Sequence, residues 1–310
     1  MKPVFILLLV AVAVFLLVAC SRKQTAPATA STTTPTTEPN ATPQNFNTQW
    51  DGRSLRVLCV GNSFARNATK VLYQIAEAEG VEEIVLGVLH IGGCTVERHY
   101  NNSLSGEAAY KYYKNTTGEW ELTENATLLY GLQDEPWDVI TITQGQGLYG
   151  IPNSYDGCLD GLIEYINANK LNPNAQLAFH MTWAFPPDST NSRFKLYAED
   201  QETMFKAICQ TGQALLVEYP DFCFILPSGT AIQNARGPIG EVFFNEDLFH
   251  LNSFGEYVAG YMWYASLTGQ PITELKYIPE SVAPMKSAHG HIVNAVNGAL
   301  NNPFEVTQLP

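Results

Sequence analysis

A serine, an aspartate and a histidine stand at positions from which they could carry out acyl transfer. Ser63 follows the apolar run Leu55–Val60 through a Gly-Asn turn, and Asp247 precedes His250 by three residues. At that spacing the carboxylate can turn back and orient the imidazole, which can then take the proton of an attacking serine hydroxyl. Each motif alone is more typical of a turn or a surface loop. The hypothesis of acyl transfer therefore depends on the residues that lie between the two motifs.

The elements around Ser63 predict where its side chain would lie. The run Leu55–Val60 has almost no polar alternation, which is typical of a strand covered on both faces in a parallel sheet. Apolar residues then recur at helical spacing between Asn67 and Glu79. A strand, a turn bearing Ser63 and a helix would place the serine at the carboxyl end of its strand, where open α/β sheets bind their ligands.

Similar apolar segments recur along the chain and predict the fold class. Further strands are predicted at Ile84–Ile91, Trp137–Thr143, Gln176–Trp183 and Asp221–Leu226, with helices near 157–169, 201–219 and 256–268. This alternation predicts a three-layer α/β/α sandwich, doubly wound around a mainly parallel five-stranded sheet. Right-handed crossovers would bring the ends of all five strands to one edge. A polar and aromatic stretch at 100–135 is predicted to form a hairpin inserted at the rim, outside the sheet.

Residues suited to binding follow several of these strands. Gly92 and Gly93 end the second strand, where backbone N–H groups can come close to a ligand. Gln144 and Gln146 follow the third strand, and their amides could donate hydrogen bonds. Trp183 ends the fourth strand and is expected to border the cleft, where it could contact a sugar ring.

The order of these blocks resembles the SGNH/GDSL hydrolase superfamily. Gly61-Asn62-Ser63-Phe64 is similar to its nucleophile block, with Asn62 where many members have Asp. Gly92 or Gly93 matches the glycine that lines the oxyanion hole, and Asp247-Leu248-Phe249-His250 matches the Asp-x-x-His block. In the third block, where the family usually has Asn, Gln144 resembles the Gln-Gly-Glu segment of the sialic-acid and xylan acetylesterase branch.

This resemblance implies a flavodoxin-like SGNH fold and a role for each matching residue. Ser63 would be the nucleophile, His250 the base and Asp247 the residue that orients the imidazole. The N–H groups of Ser63 and Gly93 and the Gln144 amide would form the oxyanion hole, with Gln146 as the alternative amide. The substrate contacts expected in addition come from Asn62, Gly92, Gln146 and Trp183.

The expected activity is hydrolysis of O-acyl esters, above all O-acetyl esters on carbohydrate, without a cofactor or metal. Short-chain esters, lipid esters and thioesters stay open as substrates. Two alternatives are a surface carbohydrate-binding protein that keeps the fold without catalysis, and an acyltransferase or lipase-like member of the superfamily. Cys94 is a weaker candidate nucleophile, and His289-Gly290-His291 offers too few ligands for a strong zinc site.

The first twenty residues predict export and a membrane anchor. Met1-Lys2 is followed by an apolar run and then by Leu17-Val18-Ala19-Cys20, which resembles the lipobox of bacterial lipoproteins. The resemblance implies lipid attached to Cys20 on a bacterial protein that faces the periplasm or the cell surface. A plain signal peptide or a short membrane anchor is the alternative. Residues 21–50, rich in Thr and Pro, predict a flexible tether, and residues 51–310 predict a single hydrolase-like domain.

Charge and cysteine content narrow the class of protein further. Lys+Arg 17 against Asp+Glu 30 gives a formal net charge of -13, which argues against nucleic acid and anionic lipid surfaces as partners. Five cysteines remain after Cys20, so at least one thiol is expected to be unpaired. Cys59 and Cys223 lie in apolar strand patterns and are predicted to be core residues, and His180 is predicted to have a hydrogen-bonded role inside its strand.

Overall fold

The structure, a computed structural model, describes residues 46–309. The predicted export signal with Cys20 and most of the predicted tether lie outside the described residues. The folded domain begins before the predicted boundary at residue 50. The N–H of Asn47 donates to the carbonyl of Ser266 at 2.8 Å, and the Asn47 residue is buried, so this part of the chain is already fixed to the domain.

A mixed sheet of seven strands forms the centre of the domain, in the order β4-β3-β2-β1-β5-β6-β7. Its parallel strands are β1 (Ser54–Gly61), β2 (Glu83–His90), β5 (Val139–Ile142), β6 (Gln176–His180) and β7 (Phe222–Leu226). The doubly wound α/β prediction is confirmed for these five parallel strands, because β1 lies between β2 and β5 and later strands are added on the other side of β1. Ser63 follows the central strand directly.

The predicted rim hairpin belongs to the sheet, so the prediction that it lies outside was wrong. Its strands are β3 (Tyr110–Asn115) and β4 (Trp120–Ala126), and β3 pairs antiparallel with β2. The parallel part of the sheet leaves the outer edge of β2 free, and pairing with β3 satisfies its backbone groups. Tyr110 and Tyr112 are buried by this pairing, which explains the aromatic alternation of the segment.

One group of helices packs around α8. It consists of α1 (Ser63–Thr69), α2 (Leu72–Glu79), α7 (Ser228–Ile239), α8 (Ser253–Thr268) and α9 (His289–Asn301). The single helix predicted for 67–79 is in fact two helices, α1 and α2, and the first of them begins at Ser63 itself. The break falls between Thr69 and Val71, whose β-branched side chains lower helix propensity.

The remaining helices are α3 (Val96–Ser105), α4 (Leu128–Asp134), α5 (Leu159–Asn169) and α6 (Gln201–Glu218). Helix α3 contacts α4 and α5, and α6 packs on β7. The chain positions of α5, α6 and α8 agree with the predicted helices, whereas α3, α4, α7 and α9 were not predicted. None of the helices described between residues 46 and 309 is both long and apolar enough to cross a bilayer.

Buried polar contacts help to fix the core beneath the strand ends. The His180 ring lies between the hydroxyls of Thr143, at 3.3 Å, and Ser228, at 3.0 Å, which agrees with the predicted core role. Burial lowers the pKa of His180 to about 3, so the ring is neutral at pH 7. Cys59 is buried as predicted, but Cys223 is exposed because β7 is an edge strand.

Helix α7 approaches the end of β6 so closely that only glycine fits at its second position. A Cβ atom on Gly229 would lie 2.0 Å from the carbonyl oxygen of Thr182, whereas one on Gly237 of the same helix would meet nothing within 4 Å. Gly229→Ala is expected to lower the free energy of unfolding by about 3 kcal/mol, and Gly237→Ala to change it by less than about 1 kcal/mol. Denaturant unfolding of both variants checks this, and equal effects would contradict the close approach.

Candidate active site

The structure brings Ser63, His250 and Asp247 together in one hydrogen-bonded chain. Ser63 Oγ lies 2.6 Å from His250 Nε2, and His250 Nδ1 lies 2.7 Å from Asp247 Oδ2. In the tautomer that this chain requires, the ring donates to the carboxylate and accepts from the hydroxyl. The side chains of His250 and Asp247 are 28% and 39% exposed, so the group lies at the surface and is open to a ligand.

The position of Ser63 is set by the junction between β1 and α1. Asn62 caps α1, and its Oδ1 accepts the N–H of Phe64 at 3.0 Å. This cap starts the helix at Ser63, so the hydroxyl stands at the first helical position above the central strand. The Phe64 ring then packs against the rings of Trp183, at 4.8 Å between centroids, and His250, at 5.5 Å. Cap and packing together fix the turn that carries the hydroxyl.

The imidazole is carried on a tight loop that Asp247 organises. Asp247 Oδ1 accepts the N–H groups of Phe249 and His250 at 3.1 and 2.9 Å. Leu248, between them, has φ 58, a left-handed conformation that costs an ordinary residue on the order of 1 kcal/mol. The N–H of Asn245 donates to the His250 carbonyl at 2.9 Å and closes the loop. One carboxylate therefore shapes the backbone and orients the ring.

These contacts also keep Asp247 ionised. Partial burial raises the pKa of its carboxyl, but hydrogen bonds from the backbone and ring of His250 and from the N–H of Phe249 outweigh it. The pKa of Asp247 consequently lies below its usual value. The carboxylate is therefore charged at neutral pH and can stabilise an imidazolium beside it.

Trp183 supports the histidine loop, and its expected exposure at the mouth of the cleft was wrong. Its side chain is 0% exposed, and its Nε1 donates to the carbonyl of Phe249 at 2.9 Å. An indole buried in this way cannot form a platform for a sugar ring. Its contact with Phe64 instead links the turn that carries Ser63 to the loop that carries His250.

Asn67, which the sequence did not single out, fixes the other side of the histidine loop. Its Oδ1 accepts the N–H of Leu251 at 3.3 Å, and its Nδ2 donates to Glu256 Oε1 at 2.7 Å. Asn67 lies one helical turn after Ser63 on α1, so the helix that presents the hydroxyl also holds the residue after His250. Its helical spacing from Ser63 was the signal in the sequence.

Asn62 and Gln144, predicted to meet the substrate, are instead buried and fully hydrogen-bonded. Asn62 Nδ2 donates to the carbonyls of Cys94 and Gln144 at 3.1 and 2.8 Å. Gln144 Oε1 accepts the N–H of Val96 at 2.9 Å, and its Nε2 donates to the carbonyl and hydroxyl of Ser154. Because both amide hydrogens of Gln144 are used, the expected donation to an oxyanion is not met in this geometry.

Among the described residues, the glycines after β2 and the amide nitrogen of Gln146 lack the hydrogen-bond partners that Gln144 has. Gly92 and Gly93 are exposed, and Gly93 has φ 62, a conformation that favours glycine. Within the described part of the chain, the N–H groups of Ser63 and Gly93 have no hydrogen-bond partner. Gln146 Nε2 is buried and also without a partner there. These three groups are the donors that could meet a developing negative charge.

Other cysteine and histidine side chains are less suited to act as a nucleophile, a base or a metal ligand. Cys94 is buried, and burial raises the pKa of its thiol to about 12, which removes the reactive thiolate at neutral pH. His99 is buried in α3 and hydrogen-bonded to the hydroxyl of Tyr110 at 2.9 Å. Across residues 46–309, no group of three His, Cys, Asp or Glu side chains could hold a metal ion, and this includes the surroundings of His291.

Comparison with known proteins assigns the chain to a family. The family described as "Domain of unknown function (DUF4886)" matches residues 56–295, and the chain belongs to it. The crystal structure of a DUF4886 family protein from Bacteroides uniformis is 36% identical with a TM-score of 0.77. That match covers 83% of this chain and 98% of the other. No curated protein matches the chain.

More remote solved structures include esterases and a lipase-like protein. A protein from Parabacteroides merdae, provisionally described as a GDSL-like lipase, is 12% identical over 74% of this chain and 99% of its own, with a TM-score of 0.47. A catalytic mutant of Axe2, an acetylxylan esterase from Geobacillus stearothermophilus, is 10% identical over 69% and 94%, with a TM-score of 0.42. Likenesses this remote say nothing about the chemistry of this chain.

The central place of Asn62 can be tested by its effect on stability. Asn62→Ala removes the helix cap and leaves the carbonyls of Cys94 and Gln144 buried without a donor, so we expect a loss of about 3 kcal/mol. Asn191→Ala is the matched control, because Asn191 caps a short 3-10 helix through one bond to the N–H of Arg193. Its loss should be about 1 kcal/mol. Equal losses in denaturant unfolding would show that Asn62 acts as a cap only.

Proposed function

We propose that this protein is a serine esterase that works through an acyl-enzyme. The observation that carries the proposal is the chain of contacts from Ser63 Oγ through the His250 ring to Asp247, at 2.6 and 2.7 Å. These are the distances at which a nucleophile, its base and an orienting carboxylate act together. The match of this sequence to the Gly-x-Ser and Asp-x-x-His blocks of SGNH/GDSL hydrolases supports the same assignment.

The reaction follows from this arrangement in two steps. His250 Nε2 takes the proton of Ser63 as Oγ attacks the ester carbonyl, and the imidazolium formed is stabilised by Asp247. The imidazolium then gives its proton to the leaving alcohol, which leaves the acyl group on Ser63. A water molecule that His250 deprotonates attacks the acyl-enzyme, and collapse of that second intermediate returns the proton to Ser63 and releases the acid.

The charge on the tetrahedral intermediate needs donors at the strand ends. The N–H groups of Ser63 and Gly93 are two of them, since neither has another partner among the described residues. For the third donor we assign Gln146 in place of Gln144, because Gln146 Nε2 is unpartnered whereas the Gln144 amide is bound to Ser154. Each such donor contributes on the order of 3 kcal/mol to lowering the barrier.

For the substrate we propose an O-acetyl ester on a carbohydrate outside the cytoplasm. The Gln144-Gly145 segment resembles the acetylesterase branch of the superfamily, and the partly exposed position of His250 leaves room for a bulky alcohol. The lipobox-like Leu17–Cys20 supports a protein anchored through lipid on Cys20 at the membrane of a bacterium. A tether after Cys20 would then let the site reach polymers near that membrane.

Hydrolysis of 4-nitrophenyl acetate by the full chain in detergent tests the activity. Ser63→Ala should lower kcat/KM by a factor on the order of 10³ or more, because the nucleophile is lost. Cys94→Ala is the matched control and should keep most of the activity, since its thiol is buried and protonated. A folded wild-type protein without hydrolysis, or a Ser63→Ala variant with full activity, would exclude the esterase mechanism.

The role of Trp183 in placing His250 predicts a change in kcat at nearly constant KM. Trp183→Phe removes the hydrogen bond to the Phe249 carbonyl but keeps an aromatic ring against Phe64, and kcat should fall by about tenfold. Trp137→Phe is the matched control, since it removes a similar buried bond, 2.8 Å long, to the carbonyl of Gly131. Both variants should lose about 1 kcal/mol of stability. If kcat falls equally in both, Trp183 does not position the base.

A further inference from the structure

A cation stands next to the proposed nucleophile on the same helix. Arg66 follows Ser63 by three residues on α1, so their Cβ atoms lie about 5–6 Å apart on one helix face. The Arg66 guanidinium carbon lies 4.0 Å from the ring centroid of Tyr113 and 4.3 Å from that of Trp120. Both rings come from the hairpin β3–β4, which therefore packs against the Arg66 side chain.

This guanidinium has no anionic partner in the part of the chain that the structure describes. Its side chain makes no ion pair or hydrogen bond there, and Nη1 is buried without a partner. The carboxylate of Glu256 acts on Arg66 only through its charge, because its Oε1 is bound to Asn67 Nδ2 at 2.7 Å. A half-buried guanidinium without a hydrogen-bonded partner costs stability, although the two aromatic faces offset part of that cost.

The surroundings of Arg66 belong to the same corner as the proposed catalytic residues. His90 ends β2, pairs with Gly61 and has an unpartnered, buried Nδ1. Arg66 and His250 both lie near His90 and Glu256, so the guanidinium and the imidazole share the same neighbours. Lys111, opposite His90 on β3, is paired with Glu124 at 3.3 Å, so Arg66 is the cation of this corner that lacks an anionic partner among the described residues.

The two aromatic rings hold the guanidinium in a fixed plane before any ligand arrives. A flexible arginine loses side-chain entropy when it binds, and stacking between Tyr113 and Trp120 removes that loss beforehand. The planar fork of Arg66 matches a carboxylate geometrically, whereas a neutral hydroxyl would gain little from it. His90 Nδ1 supplies a second polar atom for the same ligand.

We propose that the corner of Arg66, His90, Tyr113 and Trp120 binds a carboxylate of the substrate, so that the preferred esters are acidic. The inference rests on the proposed esterase function and specifies its substrate class. The carboxylate can belong to the alcohol, as in an O-acetylated uronic acid, or to the acyl group, as in a hemiester of a dicarboxylic acid. In both cases Arg66 fixes the ester with its carbonyl at Ser63 Oγ.

Paired esters that differ only in the carboxylate test this preference. With the full chain, kcat/KM is compared for O-acetyl glucuronate against O-acetyl glucose, and for 4-nitrophenyl hemisuccinate against 4-nitrophenyl butyrate. Wild-type protein should prefer the acidic member of at least one pair by tenfold or more, and the pair that shows it identifies the side of the ester that carries the charge. Equal kcat/KM within both pairs would overturn the inference while leaving the esterase function intact.

Two arginine variants assign the preference to this corner. Arg66→Gln should reduce the ratio of acidic to neutral kcat/KM at least tenfold, chiefly through KM. Arg53→Gln is the matched control, because it removes a positive charge at the opposite end of β1, where Arg53 pairs with Glu82 at 2.8 Å. It should leave the ratio unchanged. An unchanged ratio in a folded Arg66→Gln variant would show that Arg66 only fastens the hairpin.

Binding without turnover separates this inference from the esterase proposal. Calorimetric titration of Ser63→Ala with glucuronate and with glucose should give at least tenfold tighter binding of the acid, whether or not the wild-type protein hydrolyses esters. Arg66→Lys serves if Arg66→Gln does not fold, since it keeps the charge and loses the planar fork, and it should weaken glucuronate binding by more than threefold. Equal binding of the two sugars would overturn the inference.

Discussion

Three backbone segments that are far apart in the sequence meet at the side chain of Asn62. Its amide binds the N–H of Phe64 after β1, the carbonyl of Cys94 after β2 and the carbonyl of Gln144 after β5. Because this side chain is fully buried, none of these bonds competes with water. The relative positions of the hydroxyl of Ser63 and the glycine turn after β2 therefore depend on one residue that does not itself react.

The position of His250 depends on hydrogen bonds to the backbone of its loop, and not on a single buried side chain such as Asn62. His250 is partly exposed, and its orientation comes from neighbours that hold the loop rather than the ring: Trp183 binds the carbonyl before it and Asn67 binds the N–H after it. Asp247 binds the Nδ1 side of the imidazole, and the ring of Phe249 packs on it with 4.3 Å between centroids. The orientation of the imidazole ring is therefore fixed, while its Nε2 atom stays accessible to Ser63, to an ester and to water.

The sequence was sufficient to predict a residue's position where that position depends on residues nearby in the chain. The turn at Ser63 and the Asp247–His250 pair were recognisable because their partners lie a few positions away, and the apolar strands predicted the parallel part of the sheet. Gln144 and Trp183 were misjudged because their bonds reach residues 10 and 66 positions away, which no local pattern indicates. The hairpin at 110–126 was visible as alternation, but its place depends on the open edge of β2, a property of the assembled sheet.

The residues that pack around Arg66 and the residues that hold Ser63 come from different parts of the chain. The first belong to the hairpin β3–β4. In the sequence the hairpin lies between α3 and α4, away from Ser63 and from the Asp247–His250 loop. The side-chain hydrogen bonds of Asn62 go to the segments after β1, β2 and β5 and not to the hairpin. Substitution of the aromatic residues of the hairpin therefore leaves the contacts among Ser63, His250 and Asp247 in place. If the proposed function holds, the hairpin is the part of the fold in which the charge preference for a ligand could change while the frame around Ser63 stays the same.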